Sequence, residues 1–173
     1  MTTLRPFRAS DLFKFNHINL DPLTETYNVS FYMQYMATWP NLCACFEDPH
    51  GRMMGYILGK AEGDFNLWHG HVSAVTVSQE YRRLGVAKKL MHYLEDISEN
   101  IYNAYFVDLF VRETNSLAQL MYNHLDYSIY RRVLGYYSGE EDAFDMRKAL
   151  KRDVKKASTV PLTRPVRPEE LEW

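Results

Sequence analysis

The sequence predicts a mixed α/β domain, a largely antiparallel sheet flanked by about four helices. Three observations carry that prediction. Short runs rich in β-branched and aromatic residues recur between turn signals, at 42–46, 53–60, 68–77 and 105–111. In the stretch 86–97, Val86, Ala87, Leu90, Met91, Leu94 and Ile97 repeat at helical spacing. Read end to end, the elements follow the order β-α-α-β-β-β-α-β-α-β-β.

Residues 2–7 form the first strand. Ser10 or Asp11 caps a helix reaching about Asn19, with Leu12, Phe13, Phe15 and Ile18 apolar, and Asp21-Pro22 ends it. A loop over 23–28 leads to a short aromatic helix at 31–38, capped by Ser30 and stopped by Trp39-Pro40. The strands at 42–46 and 53–60 pair as a hairpin across Asp48-Pro49-His50-Gly51. Gly63 and Asp64 open a loop before the long central strand, 68–77, and its helix. A buried strand, YFVDLFV, follows at 105–111. Thr114 or Asn115 then caps a helix over 115–125. Residues 127–137 and 143–146 close the sheet, with a loop of Ser138, Gly139, Glu140 and Glu141 between them. From Lys151 basic residues and then Pro161, Pro165 and Pro168 predict an extended, peripheral tail. The expected organisation is one domain over 1–150 and a basic, proline-containing tail over 151–173.

Composition narrows the function classes. The 173 residues suit a single α/β domain, and 46% hydrophobic content supplies a real core. A net charge of −2 argues against direct nucleic-acid binding, so any basic site must be local. No apolar run approaches the ~20 residues needed to span a bilayer, and MTTLRPFRAS has no apolar signal core. A cytoplasmic protein without membrane contact is expected. Cys43 and Cys45 alternate in an apolar strand with no further ligands near them in sequence, which reads as reduced packing residues rather than a metal site.

The chain is organised around 72–97, where a strand, a basic glycine turn and an amphipathic helix follow one another. That unit suits a phosphate. The first helical turn leaves N–H groups unpaired and carries partial positive charge, and Gly85 lets the backbone approach a bulky anion. Arg82, Arg83, Lys88 and Lys89 crowd the start of the helix, while Glu95, Asp96 and Glu99 lie toward its end. Both placements oppose the helix dipole, at a cost of roughly 0.3–1 kcal/mol per charge. Such a local conflict marks a functional site; a solvated helix face is the alternative.

This order, with Arg82-Arg83-Leu84-Gly85-Val86-Ala87 between the fourth strand and the third helix, resembles the GNAT acetyltransferase superfamily. The superfamily signature runs Gln or Arg, two residues, Gly, one residue, then Gly or Ala; Arg82, Gly85 and Ala87 fill it. The blocks LDPLTETY (20–27), WHGHV (68–72), FVDLFVR (106–112), YYS (136–138) and DMRKAL (145–150) are similar to its N-terminal acetyltransferase branch of type B, as is PVRPE at 165–169. Leu125-Asp126-Tyr127 stands where that branch has Leu-Gly-Tyr, and Asp tolerates the left-handed cap the turn needs. Ser73 stands where Thr is commoner, and both offer a hydroxyl.

The resemblance implies a GNAT fold and transfer of acetyl from acetyl-CoA, used as cosubstrate without a metal, to an amine. An α-amine, with a pKa near 8, is roughly one-tenth neutral at pH 7, against less than about 0.1% for lysine. A modest base such as a histidine or a water it holds then suffices. Alternation puts His69, His71, Ser73, Val75 and Val77 on one side of the central strand. By resemblance, His71 lies at the substrate amine and with Ser73 reads the second residue of the peptide; whether His71 is also the general base stays open. Val75, Thr76 and Val77 resemble the positions that meet the pantetheine arm as an added strand, with a backbone N–H near Val75 polarising the thioester oxygen. Arg82, Arg83, Leu84, Gly85, Val86 and Ala87 are implied to hold the pyrophosphate, and Asn115 to touch CoA or peptide. Tyr122 matches the tyrosine that contacts the cofactor and protonates the departing thiolate.

Glu25, Tyr27, Tyr136 and Tyr137 are implied to wall the peptide groove, tyrosine being suited to an initiator methionine. Strict alternation sends Tyr136 and Tyr137 to opposite faces, so both can line it only if the backbone bulges there. The implied substrates are nascent N-termini beginning Met-Asp, Met-Glu, Met-Asn or Met-Gln. The implied partner is a large helical auxiliary subunit that docks the enzyme near the ribosome. Phe13, Phe31, Tyr32 and Tyr35 offer a docking surface, unless they cover the sheet. Two other readings are a GNAT enzyme acting on lysine or a small amine, and a non-catalytic CoA-binding module.

Overall fold

The computed structural model describes residues 2–138 and 140–171. They form two compact units, 2–60 with 72–97 and 61–71 with 98–138 and 140–171. Gly139, in the expected 138–141 loop, lies outside the described residues.

The first unit begins with β1 (Thr3–Pro6), which pairs antiparallel with β2 (Cys43–Glu47), and β2 pairs antiparallel with β3 (Met53–Glu62). The helix expected from Ser10 or Asp11 to Asn19 is instead a 3₁₀ turn, Ala9–Phe13, and a short α1, Asn16–Asn19. The reason is local. Asp11 accepts from the Arg8 amide (2.7 Å) and pairs with Arg5 (2.8 Å), which tightens the chain before an α-helix can form. The apolar residues then lose their common face: Phe15 and Ile18 are buried, while Phe13 is 88% exposed. The next helix, α2 (Val29–Thr38), is capped by Asn28 rather than Ser30. Asn28 Oδ1 accepts from the Phe31 amide, and the Ser30 hydroxyl donates to the same oxygen. The core of this unit gathers Phe7, Phe15, Ile18, Tyr32, Tyr35, Met53, Tyr56 and Leu58, with Cys43 and Cys45 among them as buried free thiols. Burial pushes those thiols up to about 11 and about 12.

The central strand β4 (His69–Val77) and the helix α3 (Val86–Asn100) run through both units, and α3 buries Val86, Leu90, Met91 and Leu94 as its period requires.

The second unit holds β5 (Phe106–Arg112), α4 (Ser116–Asn123), β6 (Ser128–Tyr137) and β7 (Glu141–Ala149). β7 pairs antiparallel with both β5 and β6, so the sheet order is β1-β2-β3-β4-β5-β7-β6. Asp126 follows α4 at φ +69°, the left-handed stop that the Leu-Asp-Tyr sequence calls for. Part of the C-terminal segment lies along β6: Val166 forms a parallel bridge to Val133, and the Leu162 amide donates to the Tyr130 carbonyl. Val166 and Leu171 are buried with Val133 and Ala143. That segment satisfies the outer edge of β6.

Candidate active site

In the first unit, three hydroxyl contacts tie the 24–27 loop and α2 to β4. Tyr35 Oη and Ser73 Oγ share a 2.6 Å hydrogen bond, Tyr27 Oη donates to the Ser73 carbonyl at 3.3 Å, and Thr24 Oγ1 meets Thr76 Oγ1 at 2.8 Å. The Tyr27 ring stacks on Phe31 at 4.0 Å, half-open to solvent. So Tyr27 and Ser73 are brought together, whereas Tyr32 and Tyr35 are buried and Phe31 packs against the same core. Glu25 lies exposed on the same loop. Val75, Thr76 and Val77 remain partly open along the strand.

The basic turn follows in the same unit. Arg83 has φ +62° and Gly85 φ +77°, two left-handed residues within three positions, which curl successive N–H groups toward one side as an anion-binding nest does. A Cβ at Gly85 would meet nothing within 4 Å, so the space over the turn is open. Leu84 is exposed, Val86 buried and Ala87 partly covered. The Arg82 guanidinium is anchored, with Nη2 2.7 Å from Asp21 Oδ2 and Nε donating to the Val77 carbonyl. An α-helix that starts at Val86 leaves its first-turn N–H groups without intrahelical partners, facing the region Arg83 and Gly85 leave open. The turn therefore fits a diphosphate.

In the second unit, His71 is buried and its Nδ1 lies 2.7 Å from Asp108 Oδ1. The His71 ring packs on Phe110 (5.5 Å), Phe110 on Tyr136 (4.7 Å), and Tyr136 against Tyr137 (5.0 Å). The condition set by alternation is met: pairing between β6 and β7 shifts register between Val133 and Tyr137, and Gly135 sits at φ +60° with its amide held by Asp142. Tyr136 and Tyr137 thus join one aromatic row with His71. Sequence reasoning passed over Asp108 and Phe110; the signal was there in a lone acid within the apolar run YFVDLFV.

Asn115 caps α4, its Oδ1 accepting from the Ala118 amide at 3.1 Å. Tyr122, on the same helix, is buried, and burial pushes its phenol up to about 12. At neutral pH that group is a proton donor. Glu62, His69 and His71 each bring a donor atom within 4.8 Å of the others, a spacing a cation could use. Here His71 Nδ1 is engaged by Asp108 and His69 Nδ1 by the Leu67 carbonyl, while Glu62 Oε1 lies 3.7 Å from His69 Nε2.

Residues 12–127 match the model of the Acetyltransferase (GNAT) family. The chain belongs to the GNAT family of acetyltransferases. Within this family it is 62% identical over 173 residues to the N-terminal acetyltransferase B complex catalytic subunit NAA20 of Arabidopsis thaliana, covering 100% of this chain and 99% of the relative. It is 59% identical to N-alpha-acetyltransferase 20 of Dictyostelium discoideum, covering 99% of each chain. Among solved structures it resembles Chaetomium thermophilum Naa20 in complex with a bisubstrate analogue, with a TM-score of 0.91 and 43% identity over 96% of this chain and 97% of that one. The strand–turn–helix unit of this GNAT enzyme is thus the one its signature marks, and its seven-stranded sheet is the GNAT sheet.

Proposed function

We propose that this GNAT enzyme is the catalytic subunit of an N-terminal acetyltransferase B complex. It acetylates the α-amine of protein N-termini beginning Met-Asp, Met-Glu, Met-Asn or Met-Gln. The observation that carries this reading is 62% identity over the full chain to the Arabidopsis catalytic subunit.

Acetyl-CoA, when bound, supplies the activated acetyl thioester. Arg83, Gly85 and the amides that open α3 hold its diphosphate, with Arg82, Leu84, Val86 and Ala87 shaping the turn. Val75, Thr76 and Val77 offer backbone groups to the pantetheine arm. Tyr122, kept neutral by burial, gives its proton to the departing sulfur. His71 stands at the amine, and with Ser73 and Asn115 it binds the start of the peptide; Glu25, Tyr27, Tyr136 and Tyr137 wall the side of the methionine. No step needs a metal.

The auxiliary subunit docks on the early helices. Phe13, Leu20, Leu23, Val29 and Met33 are all exposed there, more large apolar surface than one short stretch of a free-standing chain commonly shows. Of the aromatic set, Phe13 belongs to this surface, whereas Tyr32 and Tyr35 are buried. The complex works in the cytoplasm, at chains leaving the ribosome. No helix among the described residues is long and apolar enough to cross a membrane.

A peptide panel tests the reading. With the auxiliary subunit present, peptides differing only at position two should be acetylated when it is Asp, Glu, Asn or Gln. A peptide with a blocked N-terminus and a free lysine should not react. Acetylation of the blocked peptide at a comparable rate would move the enzyme to the lysine class. Tyr122→Phe should lower kcat by roughly 10²-fold or more while CoA binding is retained.

A further inference from the structure

Four titratable side chains meet inside the second unit: Glu62, His69, His71 and Asp108. Asp108 is the acid of an otherwise apolar stretch of β5, and it is buried. Its Oδ1 lies 2.7 Å from His71 Nδ1 and 3.5 Å from His69 Nε2. Burial on its own would raise the Asp108 carboxyl, but the His71 and His69 rings and Arg147 outweigh it and hold the group well below the usual carboxylate range. An ionised carboxylate has no proton to give. The proton in the 2.7 Å contact therefore sits on His71 Nδ1. In the neutral form, the one that can act as a base, the imidazole carries a single N–H; with that proton held on Nδ1, His71 Nε2 has the lone pair.

His69 braces the same carboxylate from a fixed position. The Leu67 carbonyl accepts from its Nδ1 at 2.5 Å, and the ring lies flat on Phe106 at 4.6 Å. Its Nε2 faces Asp108 and, at 3.7 Å, Glu62 Oε1.

We infer that Asp108 is a positioning residue for acetyl transfer: it holds the His71 ring with its proton on Nδ1, so that Nε2 is the atom that takes a proton from the incoming α-amine. This deepens the function proposed above and rests on it, because that function puts His71 at the amine. The balance closes. As the C–N bond forms and the C–S bond breaks, one amine proton passes to His71 Nε2 and the Tyr122 hydroxyl gives its proton to the sulfur. Return of the proton from His71 to Tyr122 through solvent restores both side chains. Asp108 keeps its charge throughout and stabilises the imidazolium.

Asp108→Asn, in the full chain with its auxiliary subunit, is the test. The carboxamide can donate to His71 Nδ1 and so reverse the tautomer. The expected result is a loss of roughly 10²- to 10⁴-fold in kcat, with the KM for acetyl-CoA and the thermal shift on CoA binding unchanged. In a His71→Ala background Asp108→Asn should add nothing, since it acts through that ring. Nitrogen-15 NMR of histidine-labelled protein should show His71 protonated on Nδ1 in the unaltered chain and on Nε2 in Asp108→Asn. A wild-type rate in Asp108→Asn, full additivity with His71→Ala, or an unaltered chain whose His71 carries its proton on Nε2 overturns the inference. The last measurement needs no variant and stands even if Asp108→Asn does not fold. An unaltered enzyme that fails to acetylate a Met-Asp peptide removes the proposed function itself, whereas an active Asp108→Asn enzyme removes only the positioning role.

Discussion

A methyl group at Gly70 would collide with its surroundings. A Cβ built there lies 2.2 Å from Ser98 Oγ and 2.9 Å from Ser98 Cβ, and Ser98 is fully buried on the last turn of α3. Gly70→Ala should cost about 1–3 kcal/mol as an overpacked site. At roughly 2–4 °C per kcal/mol for a chain of this size, the thermal midpoint drops by about 2–12 °C. Ser98 Oγ is also buried with no hydrogen-bond partner among the described residues, so Ser98→Ala alone should be close to neutral. In the Gly70→Ala background it should recover part of the loss, because the nearer of the two contacts disappears. Recovery is read as the rise in midpoint of the double variant over Gly70→Ala.

At the scale of an element, α3 sets binding against its own stability. Lys88 and Lys89 are exposed in its first turns, where the dipole disfavours positive charge. Lys88→Glu reverses the local conflict and should stabilise the free protein by about 0.3–1 kcal/mol, seen as a higher urea midpoint at low salt. The same change should weaken acetyl-CoA binding, because an acid then faces the diphosphate. A variant that is both more stable and tighter for CoA would contradict the nest at Gly85. This helix was legible in the sequence because its signal is local: six apolar residues at one period and a glycine before them. The turn at Ala9–Phe13 was not, because the choice between 3₁₀ and α was decided by Arg5 of β1, which pairs with Asp11 while it also holds Glu47 of β2. The bulge at Gly135 was legible only as a condition, and the register shift against β7 supplied it. Asp108 was missed for the same reason as the turn: its partner His71 lies 37 residues earlier, and nothing in the strand's own pattern names it.

At the scale of the whole molecule, buried carboxylates decide the acid limit. Burial would raise Asp11, but hydrogen bonds from Arg5 and the Arg8 amide outweigh it and hold it below its ordinary value; Arg5 does the same to Glu47, and Asp108 is held low by its two histidines. A carboxyl depressed in the folded state adds stability above its unfolded pKa of about 4 and loses it as pH falls through the folded value. Asp145 is raised, chiefly by burial and by the charge of Asp108, and works in the opposite sense. The net expectation is a urea midpoint that falls steadily from about pH 5 to pH 3. Asp11→Asn should lower the midpoint at pH 7 and flatten that slope. How strands 5, 7 and 6 would be ordered lay outside what the sequence could say, since the insertion of β7 between its neighbours is settled by pairing across long intervals of chain. The two core thiols lead elsewhere. With Cys43 and Cys45 raised by burial to about 11 and about 12, almost no thiolate exists at physiological pH, and only the thiolate attacks an electrophile. Peroxide and thiol-alkylating reagents should pass these two residues by while the enzyme stays folded, and a covalent inhibitor has to be aimed at some other nucleophile.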